Sequence, residues 1–200
     1  MFYHLEGIVS EFEQNLAVID CGGVGFAVNT TANTLSRLRT GEKGKLYISE
    51  SIGETNFDLY GFATKAEKRW FEMLLSISGV GPKAALSILS YNSPDSLALS
   101  IMNDDVKALT VAPGIGKKIA QRVILELKDK IGKEMAGQDL SIPAVAIQPQ
   151  TENSALNDAM VGLSVLGYSS AEIAPMLKKI QVEGMSAEQI IKAVLKQMVK

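Results

Sequence analysis

Gly79-Val80-Gly81-Pro82-Lys83-Ala84-Ala85 recurs further along the chain as Gly114-Ile115-Gly116-Lys117-Lys118-Ile119-Ala120. Each copy follows the end of an apolar helical stretch, Leu74 to Ile77 in the first case and Val106 to Val111 in the second. A glycine, an apolar residue and a second glycine let the backbone turn tightly and bring amide groups close to whatever approaches. A helix is expected to start at once after each turn. Its first N–H groups have no partner within the helix, and its positive dipole end faces outward. Pro82 presets the first helical turn of copy one, where its missing N–H is not needed. The apolar residues, Val80 and Ile115, are expected to plug the turn into the local core. Lys83, Lys117, Lys118 and Arg122 supply flanking positive charge. Together Gly79, Val80, Gly81, Lys83, Gly114, Ile115, Gly116, Lys117, Lys118 and Arg122 form a pair of candidate anion sites matched to a DNA phosphate. A single glycine-x-glycine turn between helices is a weak signal, whereas two copies with lysine after the second glycine are a strong one. Neither copy has the spacing of a Walker A loop, so no ATP site of that type is expected.

The surroundings of the repeat fit this reading. The net charge is −2, which alone argues against nucleic acid. The distribution reverses that: residues 1–60 carry 4 basic and 8 acidic side chains, residues 61–135 carry 11 and 8, and residues 136–200 carry 5 and 6. Only the middle third, which holds the repeat, is net positive.

From Met1 to about Phe62, short runs rich in β-branched and aromatic residues alternate with turn signals such as Cys21-Gly22-Gly23 and Thr40-Gly41-Glu42. Strands are expected around Tyr3 to Ser10, Leu16 to Cys21, Gly25 to Asn29, Leu46 to Ile52 and Phe57 to Phe62, with a short helix near Thr34 to Leu38. Five such strands fit a small OB-like β-barrel. From Lys65 the period becomes helical, with apolar positions recurring through Ala84 to Leu89, Ser96 to Met102, Val106 to Leu109 and Ile119 to Leu127. Pro82, Pro94 and Pro113 mark helix boundaries. The stretch from Ala136 to Asn153 has no sustained period and reads as a flexible linker. Three amphipathic helices follow, from about Ser154 to Leu166, Ser170 to Ile180 and Ala187 to Val199. Ser169/Glu172 and Ser186/Gln189 stand at capping-box spacing. The expected fold class is α+β and multidomain: a barrel over 1–63, an all-α tandem helix-hairpin-helix domain over 64–135, a linker over 136–153, and a three-helix bundle over 154–200 that resembles ubiquitin-associated bundles.

Other reactive residue types do not assemble. One cysteine, Cys21, and one histidine, His4, leave no disulfide framework and no four-ligand zinc site within the chain. Asp104-Asp105 precede a helix and are expected to cap it. No metal, cofactor or catalytic residue is expected. No apolar run approaches the roughly 20 residues that span a bilayer, and the start of the chain lacks a basic segment followed by an apolar one, so a soluble cytoplasmic protein is expected.

The order of a barrel ending in Tyr60-Gly61-Phe62, then Gly79-Val80-Gly81-Pro82-Lys83, then Pro113-Gly114-Ile115-Gly116-Lys117-Lys118-Ile119-Ala120-Gln121-Arg122, resembles the RuvA family across the whole chain. The resemblance implies a non-catalytic subunit that recognises four-way (Holliday) junction DNA by structure and not by sequence, in recombination and repair. It also implies a homotetramer, sometimes paired as an octamer. The partners it implies are the hexameric RuvB ATPase, which supplies the motor for branch migration, and the RuvC resolvase. The C-terminal bundle would contact the motor, with Leu163, Leu166, Tyr168, Ile190 and Val194 as candidate contact residues. Family members carry an adjacent acidic pair, a pin at the junction centre, shortly before Tyr-Gly-Phe. Here that place reads Glu54-Thr55, so Glu54 alone supplies the charge.

Two other functions fit parts of the pattern. A DNA glycosylase of the helix-hairpin-helix superfamily would need a catalytic aspartate after the hairpin and often a four-cysteine cluster. Asp129 sits between Lys128 and Lys130 at an unconvincing distance, and one cysteine cannot hold a cluster. A pure adaptor, with structural hairpins and a working C-terminal bundle, is distinguished by testing binding to a four-way junction.

Overall fold

The computed structural model describes residues 1–53, 56–137 and 153–198, with side chains in the last helix of the central segment described as far as Lys130. The candidate acidic-pin residue Glu54 and nearly all of the expected linker lie outside the described residues. Five strands, β1 (His4–Glu13), β2 (Leu16–Asp20), β3 (Gly25–Thr30), β4 (Lys43–Ile52) and β5 (Phe57–Phe62), close into a barrel in the order β1-β2-β3-β5-β4. All pairs are antiparallel except β3 with β5, which run parallel from Val28 opposite Leu59 to Thr30 opposite Gly61. Side chains alternate across each strand, so Val9, Ala17, Ile19, Val28, Leu46 and Ile48 meet inside the barrel, all but fully buried. The short helix α1 (Ala32–Leu35) begins earlier than the apolar pattern indicates, because the Thr31 hydroxyl accepts from the Thr34 N–H at 3.0 Å and sets its start.

Among the described residues eight further helices follow: α2 (Lys65–Leu75), α3 (Pro82–Tyr91), α4 (Pro94–Met102), α5 (Val106–Thr110), α6 (Lys117–Gly137), α7 (Asn153–Val165), α8 (Ser170–Leu177) and α9 (Ala187–Met198). Their starts are legible in the sequence. Pro82 and Pro94 occupy first-turn positions. Ser93 caps α4, and Asp105 caps α5 by accepting from the N–H groups of Lys107 and Ala108 at 3.0 and 3.2 Å. At the expected capping boxes, Glu172 accepts from the Ser169 N–H at 2.8 Å and Gln189 from the Ser186 N–H at 2.9 Å. No helix of the described residues is long and apolar enough to cross a membrane.

Barrel and helices are joined in two ways. Tyr60 and Phe62 leave the barrel core and stack on Phe71 of α2, with ring centroids 5.0 and 4.9 Å away. Beside them, Glu67 of α2 is buried, 3% exposed, and its carboxylate accepts hydrogen bonds from the hydroxyls of Thr31 and Thr34 in the barrel, the latter at 2.7 Å. Thr64 and Glu67 stand at capping-box spacing, and the Thr64 hydroxyl does accept from the Glu67 N–H at 3.1 Å. The Glu67 side chain, however, turns away from the helix end to clamp the barrel. These contacts fix the barrel against the helices that carry the repeat.

Candidate nucleic-acid interface

The two copies of the repeat fold alike, bond for bond. In the first, the Ile77 N–H donates to Leu74 O at 3.1 Å, Val80 N–H to Ile77 O at 3.0 Å, and Ala85 N–H to Gly81 O at 3.0 Å. In the second, Ala112 N–H donates to Leu109 O at 3.2 Å, Ile115 N–H to Ala112 O at 3.1 Å, and Ala120 N–H to Gly116 O at 3.0 Å. Val80 and Ile115 are each 5% exposed and insert into the same apolar core as Trp70, Phe71 and Leu74. The first glycine of each copy has a positive φ, 90° at Gly79 and 83° at Gly114, a backbone region in which other residues are strained.

The second glycine of each copy is different. Gly81 is extended, with φ −88° and ψ 176°, and Gly116 does not have a positive φ. A Cβ at either position would meet no atom within 4 Å. Nothing in the protein itself therefore requires glycine there; the bare backbone faces open space. Immediately beyond, α3 starts with Gly81 as its N-cap and no side-chain hydrogen bond on that cap, so first-turn N–H groups stay open.

Lys83, Lys117 and Lys118 are exposed at these two helix starts, and none makes an ion pair or side-chain hydrogen bond among the described residues. Arg122 lies one turn into α6, where its Nε stands 2.7 Å from the Glu126 carboxylate, so its charge is paired within the helix. The hairpins are also tied to each other, because the Ser87 hydroxyl of α3 donates to Pro113 O at 2.9 Å, just before the second turn. The two helix starts, with their exposed lysines, are thus held together.

The five candidate motor-contact residues of the C-terminal bundle lie inside its core. Leu163, Leu166 and Val194 are fully buried, Ile190 is 1% exposed and Tyr168 8%. They belong to a continuous core shared with the hairpin helices, in which α9 packs on α4 and α7 on α6. At Gly167, φ is 99° and a Cβ would stand 2.9 Å from the Ala66 Cα of α2, so the bundle's first turn abuts the hairpin helices at contact distance. The Tyr168 hydroxyl donates to the Asp95 carboxylate of α4. Burial first, and then that hydrogen bond, hold the phenol well above its ordinary value, so it remains a donor. The amphipathic stripe on α9 is therefore the face that covers the hairpin helices and fills its own bundle, and sequence periodicity does not say which surface an apolar face will meet.

Of the remaining polar residues, His4 is exposed beside the Tyr3 ring, and the Cys21 thiol is half-buried and points at Glu6 O at 3.5 Å. Asp104 pairs with Lys128 at 2.8 Å. Among the described residues, no group of three or more His, Cys, Asp or Glu is placed to hold a metal ion. The sequence reading missed Glu67, whose capping-box spacing concealed its role, and the exposed Tyr91 at the end of α3.

Three family profiles cover most of the chain: the RuvA N terminal domain over residues 1–61, a SAM-like helix-hairpin-helix tandem over 71–129, and the RuvA C-terminal domain over 154–199. The chain is 40% identical over 197 residues to a protein of Ruminiclostridium cellulolyticum, covering 98% of this chain and 99% of that one. It is 42% identical over 197 residues to one from Acetivibrio thermocellus, covering 98% of each. It is 41% identical over 201 residues to one from Thermoanaerobacter sp., covering all of both. Each of these relatives is named Holliday junction branch migration complex subunit RuvA. With barrel, paired hairpins and C-terminal helices each matched in order along the chain, this protein belongs to the RuvA family.

Proposed function

We propose that this chain is the junction-recognition subunit of a branch-migration complex: it binds four-way junction DNA by shape and targets a RuvB-type ATPase motor to it, in recombination and repair. The observation that carries this reading is the pair of like-folded hairpins, each offering a bare glycine backbone at a helix start beside exposed lysines. Such a start binds a phosphate through N–H groups and dipole. Contacts of that kind position the protein without reading bases, so selectivity must come from how several subunits are arranged around the arms. A homotetramer, alone or doubled, supplies that arrangement. The chain itself carries out no catalytic step; ATP hydrolysis belongs to the motor, and strand cleavage to a resolvase of the RuvC kind. The complex works in the cytoplasm.

Glu54 is the candidate for the acidic pin, repelling phosphates of continuous duplex at the crossover. The C-terminal helices are the candidate motor contact. Since Leu163, Leu166, Tyr168, Ile190 and Val194 are buried against the hairpin helices, contact through those residues requires α7–α9 to undock first.

Fluorescence anisotropy with a synthetic four-way junction, against a duplex of the same arm sequence, tests the function. Preferential junction binding supports it, and Lys118→Ala should flatten the slope of log K against log[salt] by about 0.9 for each phosphate no longer neutralised. Equal affinity for junction and duplex refutes junction recognition.

A further inference from the structure

The hairpins do not end the polar surface on their side of the molecule. An open groove of about 770 Å³ runs between α3 and the β1–β2 turn, lined by Gln14 and Asn15 on the barrel side and by Lys83, Ser87, Ser90 and Tyr91 on the helix side. The four helix residues fall on one side of α3, with Ser87, Ser90 and Tyr91 four, seven and eight residues beyond Lys83. Lys83 stands at the first hairpin's helix start, and Pro113, which leads into the second hairpin, also borders the groove. It therefore begins where the candidate phosphate sites are and leads away from them along α3.

Its chemistry continues theirs. No acidic side chain lines it, and one lysine does. The Ser90 hydroxyl accepts from the Ala32 N–H at 3.1 Å, which leaves its own proton to donate outward. The side-chain amides of Gln14 and Asn15 are exposed and make no hydrogen bond among the described residues. Tyr91 is 57% exposed, an aromatic ring standing at the far end with little to cover it. The walls are already fixed: besides the Ser90 contact, the Asn33 amide donates to Leu89 O at 2.5 Å, and Ser87 is tied to Pro113. Binding there needs little reordering.

We infer that this groove is a second DNA-backbone subsite, which carries the strand held at the first hairpin onward past Asn15 and Ser90 to Tyr91. From Lys83 to Tyr91 the helix rises roughly 12 Å at 1.5 Å per residue. One strand of duplex advances roughly 3.4 Å per nucleotide, so the groove spans about three nucleotides. Lys83 neutralises a phosphate at the near end. The neutral amides and the Ser90 hydroxyl donate to phosphate and sugar oxygens in the middle, and the Tyr91 ring packs on a sugar or base at the far end. This inference rests on the hairpin reading under Proposed function and extends it.

The test uses the full chain on a synthetic four-way junction, with affinity measured across a salt series and with hydroxyl-radical footprints. Tyr91→Ala removes the ring from an exposed position. Asn15→Gly removes the amide while keeping the turn, whose φ is 68°. The expected result is an affinity loss of roughly tenfold for Tyr91→Ala, in the range of a single aromatic stack, and a smaller loss for Asn15→Gly. The salt slope should be unchanged in both, because neutral contacts release no counterions. The footprint should shrink by about three nucleotides on one side of the hairpin-protected phosphates. Unchanged affinity and footprint in both variants, while Lys118→Ala weakens binding, overturns the groove alone. A flattened slope in Tyr91→Ala overturns it as well, since the ring would then be acting through the lysines. If Lys118→Ala changes neither affinity nor slope, the hairpin reading fails first.

Discussion

Replacing the second glycine of each hairpin separates binding from stability in a way the first glycine cannot. At Gly81 and Gly116 the backbone is compatible with any residue and a Cβ meets nothing, so Gly81→Ala and Gly116→Ala should leave folding intact. Alanine restricts the unfolded chain more than glycine does, which adds stability of about 0.4–1 kcal/mol where no strain opposes it. Under the proposed mode of DNA binding, the same methyl group stands where a phosphate oxygen would come within about 2.9 Å of a backbone nitrogen. Losing one charge-assisted hydrogen bond costs about 1.5–3 kcal/mol, which is roughly tenfold to a hundredfold in affinity. Gly79→Ala and Gly114→Ala are the contrast. With φ at 90° and 83°, alanine is strained there by about 1–2 kcal/mol, and a chain of this size loses about 2–4 °C of Tm for each kcal/mol. Thermal unfolding and junction anisotropy on the four variants provide the assay. If Gly81→Ala and Gly116→Ala bind the junction within twofold of the parent, no phosphate approaches that backbone, and the argument from open glycines is wrong. If instead they unfold the protein, the space above them is not open.

Substitutions at two further residues test how the hairpins and the C-terminal helices are held. Glu67→Ala leaves the buried hydroxyls of Thr31 and Thr34 without their acceptor, at about 1–3 kcal/mol each, and urea unfolding should show a loss of that order with partial recovery in Glu67→Gln. Tyr168→Phe removes the hydrogen bond to Asp95 and should speed amide exchange in α7–α9 while sparing α3. The contact also has a pH dependence of known sign. Folding raises the Tyr168 phenol above 10.0, so its contribution is complete below that value and is lost as pH climbs beyond it. A stability difference between parent and Tyr168→Phe that persists undiminished above pH 10.0 would contradict the contact.

Much of this protein is legible in its residues alone, and the reason is local. Strands in the first 62 residues announce themselves by alternation and by glycine turns between them. Helix starts are written in Pro82, Pro94, Asp105, Ser169 and Ser186, because a cap is satisfied by atoms three residues away. The repeat specifies both hairpins for the same reason: each turn closes on its own short-range hydrogen bonds. Arg122 shows the limit of that logic even at short range. Its positive charge is visible in the sequence, but the pairing with Glu126 one turn on depends on which way both side chains point.

The sequence by itself determined the element order, the two hairpin turns and the family, all of which depend on residue types at fixed spacing. Only the tertiary structure decided that Glu67 leaves its capping position to clamp Thr31 and Thr34, and that Tyr60 and Phe62 pack on Phe71. It alone placed Tyr91 opposite Asn15 and buried the apolar stripe of α9, with Tyr168, against the hairpin helices. An amphipathic period states that a face must be covered; the partner that covers it is chosen by which distant surfaces fit together, and that choice has no local signature.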